Sequence, residues 1–379
     1  MHIHIRNALI YGLIRKKSLL ELYVNIFIRA LAISLVGVFI PLYLYREIGY
    51  TLREVFLFYT LLFCLVVVFS PIVAKIVLKI GVKKAMLISS VLTIAFYLML
   101  NALAFMYIPM IVLVLFYASS SQLYWVPYHI EFSRHTDHNN RGMEMGMWYS
   151  LFTSVGVIGP VLGAIIATYF NFSMLYILAI ILFVLSVAPI FLIKERSIEY
   201  KFRLRSFLLS HPKKDILVYI GDGIRTVVSM VVWPFFMFIA LGTYLAIGSI
   251  KSGVALLSIV VSLIVGKISD KYDKRAILRI GAVLSSITFF IRSFFGSLTS
   301  LFLITTAGDF SDVIVGVPLH SKLYDQIASK GHRKLEYIVF REVWLNSGRA
   351  VILGLIFIFG SMELSFVLTG LTNFFLFFL

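Results

Sequence analysis

Gly266-Lys267-Ile268-Ser269-Asp270-Lys271-Tyr272-Asp273-Lys274-Arg275 stands between two apolar runs, and eight of its ten residues carry a charge or a hydroxyl. A run of about 20 apolar residues, the length that crosses a bilayer core, ends at Gly266, and a second begins near Ala276. The stretch therefore reads as a tight basic turn at one membrane face, where a glycine and dense charge end one spanning helix before the next starts. The rest of the chain has the same character. Of its 379 residues 60% are hydrophobic and 14% charged, too apolar for a soluble globule. The net charge of +16 does not point to nucleic acid, because the basic residues lie between apolar runs and not on one soluble face. Cys64, the only cysteine, lies inside an apolar run, so there is no disulfide framework.

Apolar runs place spans near residues 18–45, 55–78, 84–106, 108–130, 143–170 and 173–193, then 215–241, 245–266, 275–297, 299–321, 336–361 and 364–379. The expectation is an all-α integral membrane protein of twelve spans: a cytosolic segment 1–17, six helices over 18–193, a cytosolic linker 194–214, and six helices over 215–379. Residues 1–17 mix Ile3, Ile5, Leu9 and Leu13 with Arg6, Arg15, Lys16 and Lys17, which suits a short interfacial helix. Ala30-Leu31-Ala32 mimics a signal-peptide cleavage site, but Asn25 and Arg29 interrupt its apolar core, so the first span reads as uncleaved. Most of the 34 Lys and Arg fall in the tail, the linker and the loops on that same side, whereas Arg46, Arg53, Lys251 and Arg292 are assigned to the opposite side. By the positive-inside rule both termini are cytosolic, in a plasma membrane.

An internal repeat supports two halves. Val126-Pro127-Tyr128-His129 recurs as Val317-Pro318-Leu319-His320, and Gly163 meets Gly354 at the same offset, 317 − 126 = 354 − 163 = 191. A first copy of the basic turn runs from Ala74 through Gly81 to Lys84, with Ala74 at the place of Gly266 and Leu78 at that of Asp270. Gly-x-x-x-Asp-Lys-x-x-Lys-Arg, residues 266–275, is similar to the loop signature of the major facilitator superfamily, Gly-x-x-x-Asp-Arg-x-Gly-Arg-Arg, with Asp273 where that family has glycine. The resemblance covers nearly the whole chain and implies two parallel six-helix halves joined by a basic linker. It also implies a gating latch built from Gly266, Asp270, Lys274 and Arg275, in which Asp270 faces the start of span 5, with Gly81 in the first copy. In span 5, Gly156, Gly159, Pro160 and Gly163 resemble part of the signature of proton-coupled drug antiporters, while helix packing accounts for the same small residues.

Charges at membrane depth carry the functional reading. Counted at 1.5 Å per residue from the cytosolic ends, Arg29, Arg225, Asp309 and Arg349 lie about 15 to 18 Å inside a core about 30 Å thick, and Asp312 about 12 Å. Ionised groups at one such level should face each other or a polar cavity. One reading pairs Asp222 with Arg225 and Asp309 with Arg349 as structural ion pairs. The other starts from Tyr23-x-x-x-x-Ile28-Arg29, which recurs as Tyr219-x-x-x-x-Ile224-Arg225. In the resembling fold spans 1, 4, 7 and 10 line the cavity, so Arg29 and Arg225 would bind an anion between two guanidinium forks, similar to the organophosphate:phosphate antiporters. Tyr117, Ser121, Tyr124 and Tyr128 form a polar-tipped face of span 4 suited to a solute, and Asp309 and Asp312 on span 10 are candidates for handling a coupling ion. His129 and His320 read as caps at helix C-termini, and His135 and His138 have no metal-ligand spacing.

The sequence contains no ATP-binding Gly-rich loop, zinc helix motif or serine elbow, so the expectation is a secondary active transporter without cofactor or metal, driven by a proton or another ion gradient. Its partners are membrane lipids and a small solute, an organic or phosphorylated anion, and it works as a monomer. The alternatives are proton-coupled export of lipophilic drugs or metabolites, and a membrane sensor or enzyme without flux. No convergent nucleophile and base, and no output domain, favours the last of these.

Overall fold

Proline, glycine and short polar caps cut the chain into helices. The computed structural model describes residues 17–135, 141–192, 202 and 213–378; the expected interfacial segment, the 194–214 linker and His138 lie outside the described residues, apart from Lys17, Phe202, Lys213 and Lys214. Every long element described is helical, and none is a strand. They are α1 (Lys17–Val36, resuming as Ile40–Arg46), α2 (Leu52–Ile80), α3 (Val82–Ala102), α4 (Met110–His135), α5 (Arg141–Tyr169) and α6 (Phe172–Leu192). After the linker come α7 (Lys213–Val227, Val228–Val232 and Trp233–Leu241), α8 (Tyr244–Lys271), α9 (Lys274–Ile291), α10 (Leu298–Ser329), α11 (Lys334–Phe359) and α12 (Met362–Thr372). Among the described residues eleven helices are long and apolar enough to cross a membrane, and Met362–Phe378 is a shorter apolar one.

Local chemistry sets the ends and the irregular turns. Thr51 and Glu54 form a capping box that opens α2, the Thr51 hydroxyl accepting from the Glu54 N–H at 3.2 Å and the Glu54 carboxylate accepting from the Thr51 N–H at 2.8 Å. Pro41 cannot donate to residue 37, and α1 opens there into the 37–39 turn. Pro234 does the same in α7, where a π-helical turn, Val228–Val232, absorbs the missing bond.

Three boundary expectations are corrected. Gly266–Arg275 is not a ten-residue break: α8 runs on to Lys271, and Tyr272 and Asp273 alone separate it from α9, because the Asp273 carboxylate accepts from the Arg275 N–H at 3.0 Å and caps the new helix. The backbone of Asp270 thus belongs to the last turn of α8, and its side chain lies outside the described residues. Lys274 is turned to α10, where its ammonium donates to Ser321 Oγ at 2.8 Å and to Asp325 at 3.2 Å, and Arg275 is exposed. In the first copy Gly81, at φ 91°, is the whole joint between α2 and α3, a left-handed φ that glycine adopts freely. Finally, α4 and α10 continue past the apolar runs to His135 and Ser329, since Phe132, Leu323, Tyr324 and Ile327 stay buried beyond the membrane-length segment. His129 and His320 are therefore inside helices and cap nothing.

Packing repeats along the chain. In the first group α1 lies on α5 and α6, α3 on α4 and α6, and α2 on α4; six helices on, α7 lies on α11 and α12, α9 on α10 and α12, and α8 on α10. Between the groups α5 packs along α8 and α2 along α11. The glycines of α5 make these approaches possible: a Cβ at Gly159 would overlap Ser34, and one at Gly163 would overlap the Leu35 carbonyl and the Phe39 ring, both on α1 or its turn. From the other side Gly248 of α8 sits against Pro160 and Ala164, while Gly156 meets Ala255 at an ordinary 3.5 Å.

Candidate functional site

Three carboxylates and three cations meet among α7, α8, α9 and α10. Arg225 donates through Nη2 to Asp222 Oδ1 at 2.7 Å, one turn back on its own helix, and through Nη1 to Asp312 Oδ1 at 2.5 Å on α10. Lys251 of α8 reaches Asp309 at 3.7 Å. Arg292, assigned from the sequence to the side opposite the cytosol, is 0% exposed. Its long stem carries the guanidinium back over the rings of Phe289 at 4.0 Å and Trp233 at 4.8 Å, within electrostatic reach of Asp309 and Asp312. Gly308 lets it lie flush on α10, since a Cβ there would stand 2.7 Å from Nη2, and Trp233 is fixed by donating from Nε1 to Thr305 at 2.9 Å. None of the Arg292 nitrogens has a hydrogen-bond partner among the described residues. Its charge is nonetheless matched, because Asp222, Asp309 and Asp312 balance Arg225, Lys251 and Arg292, three against three.

A second cluster is not balanced. Arg29 lies among the first six helices, 4% exposed, donating from Nη2 to Thr93 Oγ1 at 3.1 Å, with its guanidinium 3.9 Å over the Tyr124 ring and 5.2 Å from that of Phe183. Tyr124 is held by Asn25 Oδ1 at 2.8 Å, and Asn25 by the Ser186 carbonyl at 2.7 Å. Arg29 Nε and Nη1 are buried without a partner, and its electrostatic neighbours are Tyr124, Tyr97 and Tyr117, with no carboxylate among them. On α11, Arg349 donates only to neutral groups, Asn346 Oδ1 at 3.1 Å and Thr226 Oγ1 at 3.3 Å, and lies 5.3 Å over Phe63. Glu342, which with Asp222 lies within electrostatic reach of Arg349, is taken by Arg341 at 2.6 Å, by Asn346 at 3.3 Å and by His129 at 3.7 Å. Asp222 is thus shared between the two clusters, and together Arg29, Arg225, Lys251, Arg292, Arg341 and Arg349 against Asp222, Asp309, Asp312 and Glu342 leave 6 − 4 = 2 positive charges.

The positions singled out in the sequence are thus distributed. Arg29 and Arg225 have separate sets of neighbours, and Asp309 meets Lys251 where the sequence offered Arg349. Tyr117 stacks on Phe96 at 4.4 Å and is half-buried, as is Ser121; Tyr124 and Tyr128 are fully buried, the Tyr128 hydroxyl accepting from Trp148 Nε1 at 2.8 Å. Glu342, Asn346, Lys251 and Arg292 were not anticipated as members of these clusters. The signal for the α11 members was available, since Glu342, Asn346 and Arg349 recur at i, i+4 and i+7 on one helical face.

Among the described residues, side-chain contacts bridge the two helix groups at both ends. Near the 47–51 loop, Arg46 donates to the Gly242 carbonyl at 2.8 Å, Tyr244 to Glu47 at 2.7 Å, and the Tyr45 and Phe56 rings pack on Phe235. At the other end His129 Nδ1 and the Tyr324 hydroxyl are 2.7 Å apart, Phe132 packs on Tyr324, and Trp148 stacks on His320.

Long apolar helices, eleven among the described residues, that bury opposed charges among themselves make a multi-pass membrane protein. Residues 22–331 match the Major Facilitator Superfamily, and the chain belongs to that family. It is 26% identical over 243 residues to the uncharacterized protein YqgE of Bacillus subtilis (strain 168), a match over 60% of this chain and 56% of that protein, so the chain spans little more than half the length of this curated relative. Among solved structures it is similar to the human organic anion transporter MFSD10 (TETRAN), with a TM-score of 0.70 at 14% identity over 96% of this chain and 98% of that one. It is also similar to the transporter FucP in its outward conformation, with a TM-score of 0.66 at 12% identity over 94% and 96% of the two chains. Identities this low speak for the shared fold alone.

Proposed function

We propose that the protein carries a small organic or phosphorylated anion across the plasma membrane by alternating access of two six-helix halves, 18–193 and 215–379, with both termini in the cytosol. One observation carries the choice of an anion: Arg29 is buried with two unsatisfied guanidinium donors and no carboxylate in reach. An ion left so is unfavourable by several kcal/mol, and a bound carboxylate or phosphate would remove that cost with charge-assisted hydrogen bonds. The recurrence of helix contacts six helices on supports the two halves, and side-chain bridges at both ends are what an occluded stage of alternating access requires. In this reading Arg225, engaged by Asp222 and Asp312, positions α7 against α10, while Asp309 and Asp312 respond to the coupling ion. The protein acts as a monomer among membrane lipids.

Uptake into proteoliposomes, compared for organic phosphates, carboxylates and lipophilic cations, tests the proposal. Selective uptake of anions is expected; transport of lipophilic cations alone would replace it with the drug-export reading.

A further inference from the structure

Resting on the anionic reading above, we infer that Arg349 of α11 is the second cationic arm of the Arg29 site, and that the ligand is a ring-bearing dianion held between the two helix groups. Three observations lead there. The first is charge: the six cations Arg29, Arg225, Lys251, Arg292, Arg341 and Arg349 exceed the four carboxylates Asp222, Asp309, Asp312 and Glu342 by two, so a ligand of charge −2 neutralises the set, and Arg29 and Arg349 hydrogen-bond only neutral groups whereas Arg225 already holds two carboxylates. The second is convergence. Tyr117 is within electrostatic reach of both arginines, and they approach it from opposite sides of the group boundary, Arg29 from α1 and Arg349 from α11. The free donors are Nε and Nη1 on Arg29 and Nε on Arg349, whose remaining bonds go to neutral side chains that can exchange for a ligand oxygen.

The third is the nature of the walls. Tyr117, which both arginines reach, stacks on Phe96 at 4.4 Å, and the Arg29 guanidinium lies over the Tyr124 ring and that of Arg349 over Phe63. A flat apolar body fits such walls better than a sugar does, since they offer it stacking faces and few hydrogen-bond partners. Because the arms come from different helix groups, a dianion bridging them ties α1 to α11 and holds the occluded arrangement closed.

Binding of phenyl phosphate to the purified full-length protein, at a pH where it is doubly charged, tests this against benzoate, which has the ring and one charge, and inorganic phosphate, which has the charge and no ring. Phenyl phosphate is expected to bind at least tenfold tighter than either. Arg349→Gln and Arg349→Lys should each weaken it at least tenfold, the lysine because it keeps the charge and loses the fork. Arg279→Gln, on the exposed face of α9, should leave affinity unchanged. The lysine variant guards against a folding defect and is checked by its melting curve. If phenyl phosphate binds the wild type and both Arg349 variants equally, Arg349 is not the second arm, although the anionic reading stands. If inorganic phosphate or benzoate binds as tightly, the ring-bearing dianion is the wrong class. If no anion binds the wild type at all, the anionic reading fails and this inference falls with it.

Discussion

Arg292 and Arg29 are both buried guanidinium groups stacked on aromatic rings, yet they answer to different terms. Stacking on Phe289 and Trp233 contributes about 2 kcal/mol for a desolvated cation, whereas removing one member of a buried charge set costs about 3 to 5 kcal/mol because its partners stay charged. For Arg292 the charge effect wins. Arg292→Met should lower stability by about that larger amount, and adding Asp309→Asn should restore a good part, both read from thermal unfolding in detergent; a loss of the same size with and without Asp309→Asn would mean that packing alone holds Arg292. Arg29→Met has no buried acid to orphan and removes an unpaired buried charge, so it should raise the melting temperature of the empty protein while abolishing anion binding, as ligand-induced thermal shifts would report. That these charges lie within long apolar helices was legible residue by residue, because an apolar run shows which charges interrupt it. Partners were not: whether Asp309 meets Arg349 or Lys251 depends on the rotation of α8 and α11 about their axes, which no single run encodes. The burial of Arg292 was not legible for a related reason, since a run boundary marks a backbone position and says nothing of where a long stem delivers its charge.

The helices themselves were legible wherever apolar length decided, and less so at their ends. The 266–275 stretch marks a junction correctly, but a charged segment after an apolar run is as good a helix as the run before it, so the break came down to the residue able to cap the next helix, Asp273. Asp273→Ala should cost about 1 kcal/mol in the melting transition, the usual value of a lost cap. The small residues of α5 permit a sharper contrast. Gly159→Leu drives a side chain into Ser34 of α1 and should leave no monodisperse folded protein, whereas Gly156→Ala meets Ala255 in ordinary contact and should express and elute like wild type. Equal behaviour of the two variants in size-exclusion chromatography would show that α1 and α5 do not need this approach. The glycines were visible in the sequence; which neighbour each one admits was not.

For the whole molecule, the all-helical, multi-span class was readable from the apolar runs, while the contacts that bridge the helix groups at both ends are aromatic and histidine contacts between helices distant in sequence. Tyr244→Phe and Arg46→Ala remove the hydrogen bonds near the 47–51 loop and should raise cysteine-probe labelling at that end alone; unchanged labelling would mean that the ring contacts suffice. The two unmatched positive charges have a consequence for energetics across a polarised membrane. Each elementary charge moved through the field is worth about 2.3 kcal/mol per 100 mV, so under the proposed alternating access reorientation of the empty protein would displace charge and respond to voltage, whereas the form neutralised by a dianion would move almost none. Transient currents from the purified protein on a supported membrane should accordingly be largest without ligand and fade as the anion saturates it, making the return of the empty carrier the step that a membrane potential speeds or stalls.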